Sequence, residues 1–145
     1  MLDHLGLIPA VEWQMEQFER RTGIHCDMNV ADSNLGLSRE ANTALFRILQ
    51  ESLSNVAHHA SAHQVHVALE RQAGWLNLTI RDDGKGISKL QVESNRSFGL
   101  LGMRERAQVF GGQLEIHGKR GEGTTVRVRI PARAVRRSVK ACTTS

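Results

Sequence analysis

Two pairs of alternating segments limit what this chain can become. "HQVHVALERQ" (63–72) sets Val65, Val67 and Leu69 at every second position, and "WLNLTIRDD" (75–83) does the same with Leu76, Leu78 and Ile80. Only Ala73-Gly74 separates them, so they read as a tight hairpin. "QLEIHG" (113–118) and "TTVRVRIP" (124–131) repeat the pattern around a turn in "KRGEG". A period of two gives each hairpin one apolar face, and that face has to be covered.

The cover is written between the strands at helical spacing. In "IPAVEWQMEQFERRTGI" Val11, Met15 and Phe18 share a face, Pro9 suits a first turn and Gly23 suits a stop. "IHCDMNV" reads as a short strand, followed by the polar loop "ADSNLG". Ser38 is an N-cap for a long helix over "REANTALFRILQESLSNVAHHA", with Leu45, Ile48, Leu49, Leu53, Val56 and Ala60 on one stripe. Residues 84–98 have no period and read as a loop, and "LLGMRERAQVFG" reads as a helix ending at Gly111-Gly112. The expected fold class is α/β. It is a two-layer sandwich with a mixed, mostly antiparallel sheet of about five strands and about three helices on one face.

At 145 residues the chain has room for one core. Its net charge of +4 comes from Arg133, Arg136, Arg137 and Lys140; the rest, residues 1–130, holds 15 basic and 15 acidic residues. The expectation is a neutral domain over 1–131 with a solvated, disordered basic tail over 132–145, and no nucleic-acid partner. The aromatic content of 4% is also low for a base-stacking surface. Cys26 and Cys142 form no C-x-x-C motif, which points to a reducing compartment without a disulfide framework. No apolar run reaches the roughly 18 residues of a membrane span, so no membrane contact is expected of this domain. His59, His63 and His66 fall at a helix end and a strand start, an arrangement that does not favour zinc.

Four stretches could carry chemistry. On the long helix Glu51, Asn55 and His58 recur at spacings of four and three beside the apolar stripe. A carboxylate and an amide oxygen one turn apart suit Mg²⁺, although a solvated helix flank has the same look. In "TIRDDGKGIS" a strand runs into Asp82, and Gly84 and Gly86 follow. Such an acid can accept from an exocyclic amine while glycines let a ligand approach, and an Asp-Gly pair is equally an ordinary turn. In "SFGLLGMRER" Gly99 and Gly102 open a helix whose free N–H groups favour anions; a flexible lead-in reads the same way. In "GEGTTVRV" a glycine turn opens a strand carrying Thr124, in the manner of a plain hairpin.

Taken together and in this order, Glu51-x3-Asn55, Asp82-x-Gly84-x-Gly86, Gly99-Leu100-x-Gly102-Met103 and Gly121-x-Gly123-Thr124 resemble the N, G1, G2 and G3 boxes of the GHKL ATPase superfamily. "ILQESLSNVAHHA", "IRDDGKGI", "FGLLGMRERA" and "GEGTTVRVRIP" look most like the catalytic ATP-binding domain of nitrate-sensor-type sensor histidine kinases, and the likeness spans nearly residues 1–131. The resemblance implies the Bergerat fold and binding of ATP with Mg²⁺. It implies that Asp82 takes the adenine amino group, with Gly84, Gly86 and Ile87 around the nucleotide and Thr124 supporting the base through water. Asn55 would hold Mg²⁺, and Glu51 would be the catalytic carboxylate, also near the metal. Gly99, Leu100, Gly102 and Met103 would close over the phosphates, with 88–98 as an ATP lid.

Two departures stand out. His58 occupies a place where the family often has Lys or Arg, so phosphate affinity would be weaker there or would depend on His58 protonation. No histidine sits in an "RELHD"-like helix, and His4 in "LDHLGL" does not match. The implied protein is therefore a cytoplasmic catalytic domain of a longer kinase, whose parent could sit in the inner membrane. It would need its own dimerisation and phosphoacceptor domain as a partner and would signal to a response regulator. A serine kinase of anti-sigma-factor type and a non-catalytic nucleotide-binding regulator are the alternative readings.

Overall fold

The computed structural model describes residues 6–31, 36–88 and 99–131. The expected basic tail (132–145) and all but Ser88 of the expected lid (88–98) lie outside the described residues, as does His4. Helix α1 (Leu7–Thr22) leads into strand β1 (His25–Val30), and α2 (Arg39–Asn55) continues into one π-helical turn (Val56–Ala60). Then come β2 (Gln64–Gln72), β3 (Trp75–Asp82), α3 (Leu100–Gln108), β4 (Gln113–Lys119) and β5 (Gly123–Pro131).

Local chemistry explains most of the boundaries. Gly23 ends α1 in the left-handed conformation (φ 76°) and its N–H donates to the Glu19 carbonyl. Ser38 caps α2, its Oγ accepting from the Ala41 N–H at 3.1 Å. The β2–β3 hairpin turns through Ala73 and Gly74, both at positive φ, as the twist of a two-residue turn requires.

The five strands form one sheet in the order β1-β2-β3-β5-β4. β2 pairs antiparallel with β3, β3 with β5, and β5 with β4. β1 lies parallel to β2, Cys26 opposite Val65 and Met28 opposite Val67, with α2 as the crossover. The α/β architecture, the mixed five-stranded sheet and the three helices agree with the sequence reading.

The inner face of the sheet is read directly from the alternation. Val65, Val67 and Leu69 of β2, Leu76, Leu78 and Ile80 of β3, and Val126, Val128 and Ile130 of β5 are buried. They meet Val11, Met15 and Phe18 of α1, Leu45, Ile48, Leu49 and Leu53 of α2, and Met103 and Ala107 of α3. Each large side chain removed from water here contributes about 1.5–3 kcal/mol before entropy is counted. The opposite face is polar: Asp27, His66, Arg81 and Arg127 are exposed, with His66 Nδ1 paired to Asp27. Among the described residues no helix is long and apolar enough to cross a membrane.

Candidate nucleotide site at the end of the helix–sheet interface

The phase of β3 that buries Leu76, Leu78 and Ile80 also turns Asp82 inward, where it is only 7% exposed. Asp82 lies opposite Thr124 in the β3–β5 register, and Thr124 shares a face with Val126, Val128 and Ile130. The two polar residues thus stand where apolar residues stand along the rest of the strands. From the helix layer, the end of α2 brings Ser52, Asn55 and Val56 across from them. Between the layers lies a cavity enclosing ≈ 470 Å³ including its open mouth, walled further by Ile80, Gly86, Ile87, Leu100, Ile116 and Val126. A largely apolar cleft with a few convergent polar groups on its wall is how small-molecule sites are built.

The two adjacent aspartates have separate jobs. Asp82 Oδ1 accepts from the Gly84 N–H at 2.8 Å, and the Thr124 N–H also donates to its carboxylate. Burial raises its pKa from the ordinary carboxylate range, those two backbone donors oppose the rise, and the neighbouring Asp83 charge adds to it. Asp83 points to the surface and pins the start of β2: its Oδ1 accepts from the His63 N–H at 2.8 Å and the Gln64 N–H at 2.9 Å. These bonds, His63 first, lower its pKa. One aspartate is a desolvated acceptor facing a cavity, the other a structural clamp.

The glycines after Asp82 serve the protein's own backbone. Gly86 has φ +85°, and a Cβ there would overlap the Lys119 carbonyl. Gly118 would carry its Cβ into the backbone of Ile87. The loop 83–88 therefore lies against the β4–β5 hairpin, fastened by the Gly121 N–H donating to the Lys85 carbonyl at 2.9 Å. Gly123, at φ +90°, has its missing side chain pointing at the Asp82 carbonyl. Room for a ligand at Gly86 is a consequence of this packing; Gly86 and Ile87 line the cavity while Gly84 supplies its N–H to Asp82.

Of the residues singled out in the sequence, Asn55, Asp82, Gly86, Ile87, Leu100 and Thr124 come together on the cavity wall. Glu51 lies just outside it, its carboxylate packed beside Gly99, the left-handed residue (φ 64°) preceding α3. Gly102 faces the Arg106 guanidinium, and Met103 is fully buried in the core. His58 does not line the cavity. The π-helical turn beginning at Val56 changes the helical register after Asn55, and exposed His58 instead donates from Nδ1 to the Ser54 carbonyl at 2.8 Å.

Ser52 and the nearby Gly118 escaped the sequence reading, as did the places of Ile116 and Val126 on the cavity wall. Ser52 lines the cavity, and its signal was its place three residues before Asn55 and four before Val56 on the same helix face. Gly118 is in phase with Leu114 and Ile116, and a glycine at an inward strand position marks a close backbone approach.

The oxygen donors of Glu51 and Asn55, one helical turn apart at this edge, fit Mg²⁺ as a hard cation that keeps part of its water shell.

Known proteins share both the sequence and the fold. Residues 40–134 match the family of histidine kinase-, DNA gyrase B-, and HSP90-like ATPases. The signal transduction histidine-protein kinase/phosphatase DegS of Brevibacillus brevis is 40% identical over 130 residues, covering 90% of this chain and 33% of DegS. The sensor histidine kinase LiaS of Bacillus subtilis is 35% identical, covering 90% of this chain and 35% of LiaS. The chain thus spans about a third of the length of these relatives. The blue-light activated histidine kinase EL346 of Erythrobacter litoralis has the same fold, with a TM-score of 0.75 at 20% identity over 92% of this chain and 43% of that one. A helix–sheet cleft of this design, together with a family match over most of the chain, leads to one assignment: the chain belongs to the histidine kinase-, DNA gyrase B- and HSP90-like ATPase family.

Proposed function

We propose that this domain binds Mg·ATP in the cleft between α2 and the β3–β5 strands and donates the γ-phosphate to a histidine on a separate dimerisation domain. The observation that carries the reading is Asp82, a carboxylate held on the cavity wall by two backbone N–H groups and largely removed from water. An acceptor so placed selects a base carrying an exocyclic amine, and rejects one that offers a carbonyl at the same point. Thr124 stands beside it in register and supports the same edge of the base, through water.

Ile80, Ile87, Leu100 and Val126 give the base an apolar slot that excludes bulk water. Glu51 and Asn55 are the residues that would hold Mg²⁺, which would supply neutralisation of the phosphate charge. Glu51, outside the base slot and beside the start of α3, is placed to polarise or deprotonate the acceptor. Gly99 and the first turn of α3 direct free N–H groups toward the phosphates, with Gly102 and Met103 holding the turn in place. The protein's own part is positioning and charge compensation. The same reading has a cytoplasmic domain, where ATP is available, signalling through its dimerisation domain to a response regulator. Relatives named as histidine kinases favour this over a serine kinase.

The test is labelling with γ-labelled ATP. The domain alone should stay unlabelled, and an added dimerisation domain with an "RELHD" helix should become labelled on histidine. In the same assay Asn55→Ala should weaken Mg·ATP binding more than metal-free ATP binding. Acid-labile phosphate on this chain alone would overturn the proposed division of labour.

A further inference from the structure

Among the described residues, Ser52 is the one wall residue whose polarity the adenine reading has not used. Its side chain is 2% exposed, and it stands on the cavity wall among Val56, Ile80 and Leu100. The recorded partner of its hydroxyl is Met103 Sδ at 3.7 Å. A thioether is a weak acceptor, so this contact satisfies the hydroxyl poorly and leaves its lone pairs unused. A buried hydroxyl in apolar surroundings is unfavourable unless something completes its hydrogen bonding. Alanine or valine would fill the same place on the helix face without that cost.

The cavity itself points to what completes it. Ser52 sits three residues before Asn55 and four before Val56, so it faces the same cleft from the helix side. Asp82 faces it from the sheet side. A flat base lying between the two layers with its amine toward Asp82 presents unprotonated ring nitrogens along its edge. The serine hydrogen rotates freely about the C–O bond and can leave the sulfur for such a nitrogen.

We propose that Ser52 is a specificity-determining residue of this site, its hydroxyl donating to a ring nitrogen of the bound adenine. This rests on the reading of the cavity as an adenine site. Ser52 would add a second polar check on the base from the helix wall, beside that of Asp82. It would also couple the base to α3, because Met103, the partner released on binding, belongs to that helix.

Calorimetry with ATP and its 1-deaza, 3-deaza and 7-deaza analogues, on wild type and Ser52→Ala, tests this. Ser52→Ala should weaken ATP by about fivefold, the size of one neutral hydrogen bond. One deaza analogue should bind wild type about fivefold less well than ATP and lose nothing more in Ser52→Ala. Ser52→Thr, which keeps the hydroxyl, should retain the discrimination. Ser52→Ala binding ATP as wild type does, or weakening ATP and all three analogues alike, would overturn the proposal in favour of a packing role. Should Ser52→Ala fail to fold, wild type alone decides: three analogues bound as tightly as ATP would leave no ring nitrogen to be read. Failure of the underlying adenine reading looks different, since wild type would then bind no ATP, or Asp82→Asn would bind it unchanged.

Discussion

The two ends of the helix–sheet interface use the same strands to opposite effect. At one end Leu76 of β3 and Ile130 of β5 face each other in register, 1% and 0% exposed, beneath a sealed apolar cover. α3 closes down there, with the Gly112 N–H on the Ala107 carbonyl at 2.9 Å and no room for a side chain between Gly112 and the Arg129 backbone. Six residues along β3, in the same phase, Asp82 meets Thr124, and the layers part into a cavity. Polar residues at two inward positions accompany the change from sealed packing to an open cavity, with the backbone braced around them. The glycines at 86, 118 and 123 do the bracing by letting the loop and hairpin approach without side chains.

Breaking the sealed end should have the largest effect. Leu78→Ala leaves a cavity beneath α2 and should cost about 2–5 kcal/mol of stability, read by denaturant unfolding, with ATP binding lost only as folding is lost. A small loss would mean that the sheet interior relaxes more than its packing implies. Gly123→Ala comes next. Its Cβ would overlap the Asp82 carbonyl at a φ of +90°, so it should cost about 1–3 kcal/mol and weaken ATP in the protein that still folds. Normal affinity and stability in this variant would show that the hairpin is not what positions Asp82.

Asp82→Asn should separate the two ends cleanly. It removes a charged acceptor from the cavity, which should weaken ATP by about 1.5–3 kcal/mol. Its effect on the free domain has the opposite sign. A raised pKa means that the folded state holds the proton more tightly than the unfolded chain, so the ionised group opposes folding above its folded pKa. The nucleotide-free variant should therefore melt higher than wild type at neutral pH. That advantage should shrink as pH falls through the raised pKa and wild-type Asp82 becomes neutral. Equal melting at all pH values would remove the desolvation argument.

Asp83→Ala is the smallest and the sharpest contrast. The lowered pKa of Asp83 means that its ionised form stabilises the fold above the usual carboxylate pKa, and that this is lost as pH falls through the lowered value. The variant should melt slightly lower at neutral pH, the difference vanishing in acid, with ATP affinity unchanged. A clear loss of ATP affinity would mean that the clamp on β2 reaches into the site.

Much of this was legible from residue order because it depends on short-range rules. Alternation assigned the hairpins, and the structure shows the same period continuing past Ile80 and Val126 to turn Asp82 and Thr124 inward. Ser38 and Gly23 set helix ends through bonds made within four residues. Four spaced boxes led to the family, because their residue types, spacing and order are specific only when taken together.

What the tertiary structure alone decided depends on how distant segments approach one another. The parallel pairing of β1 with β2 required α2 as a crossover, and nothing in "HCDMNV" specifies a partner. The π-helical turn at Val56–Ala60 took His58 off the stripe that α-helical spacing assigns to it, a change of register that no side-chain pattern announces. Ser52 drew no notice in the sequence, and only the sheet placed across from it makes it a cavity-wall residue. Gly118 became a contact point only when the loop after Asp82 folded over it. Periodicity tells which way a side chain faces, but what stands opposite is settled by packing between segments far apart in the chain.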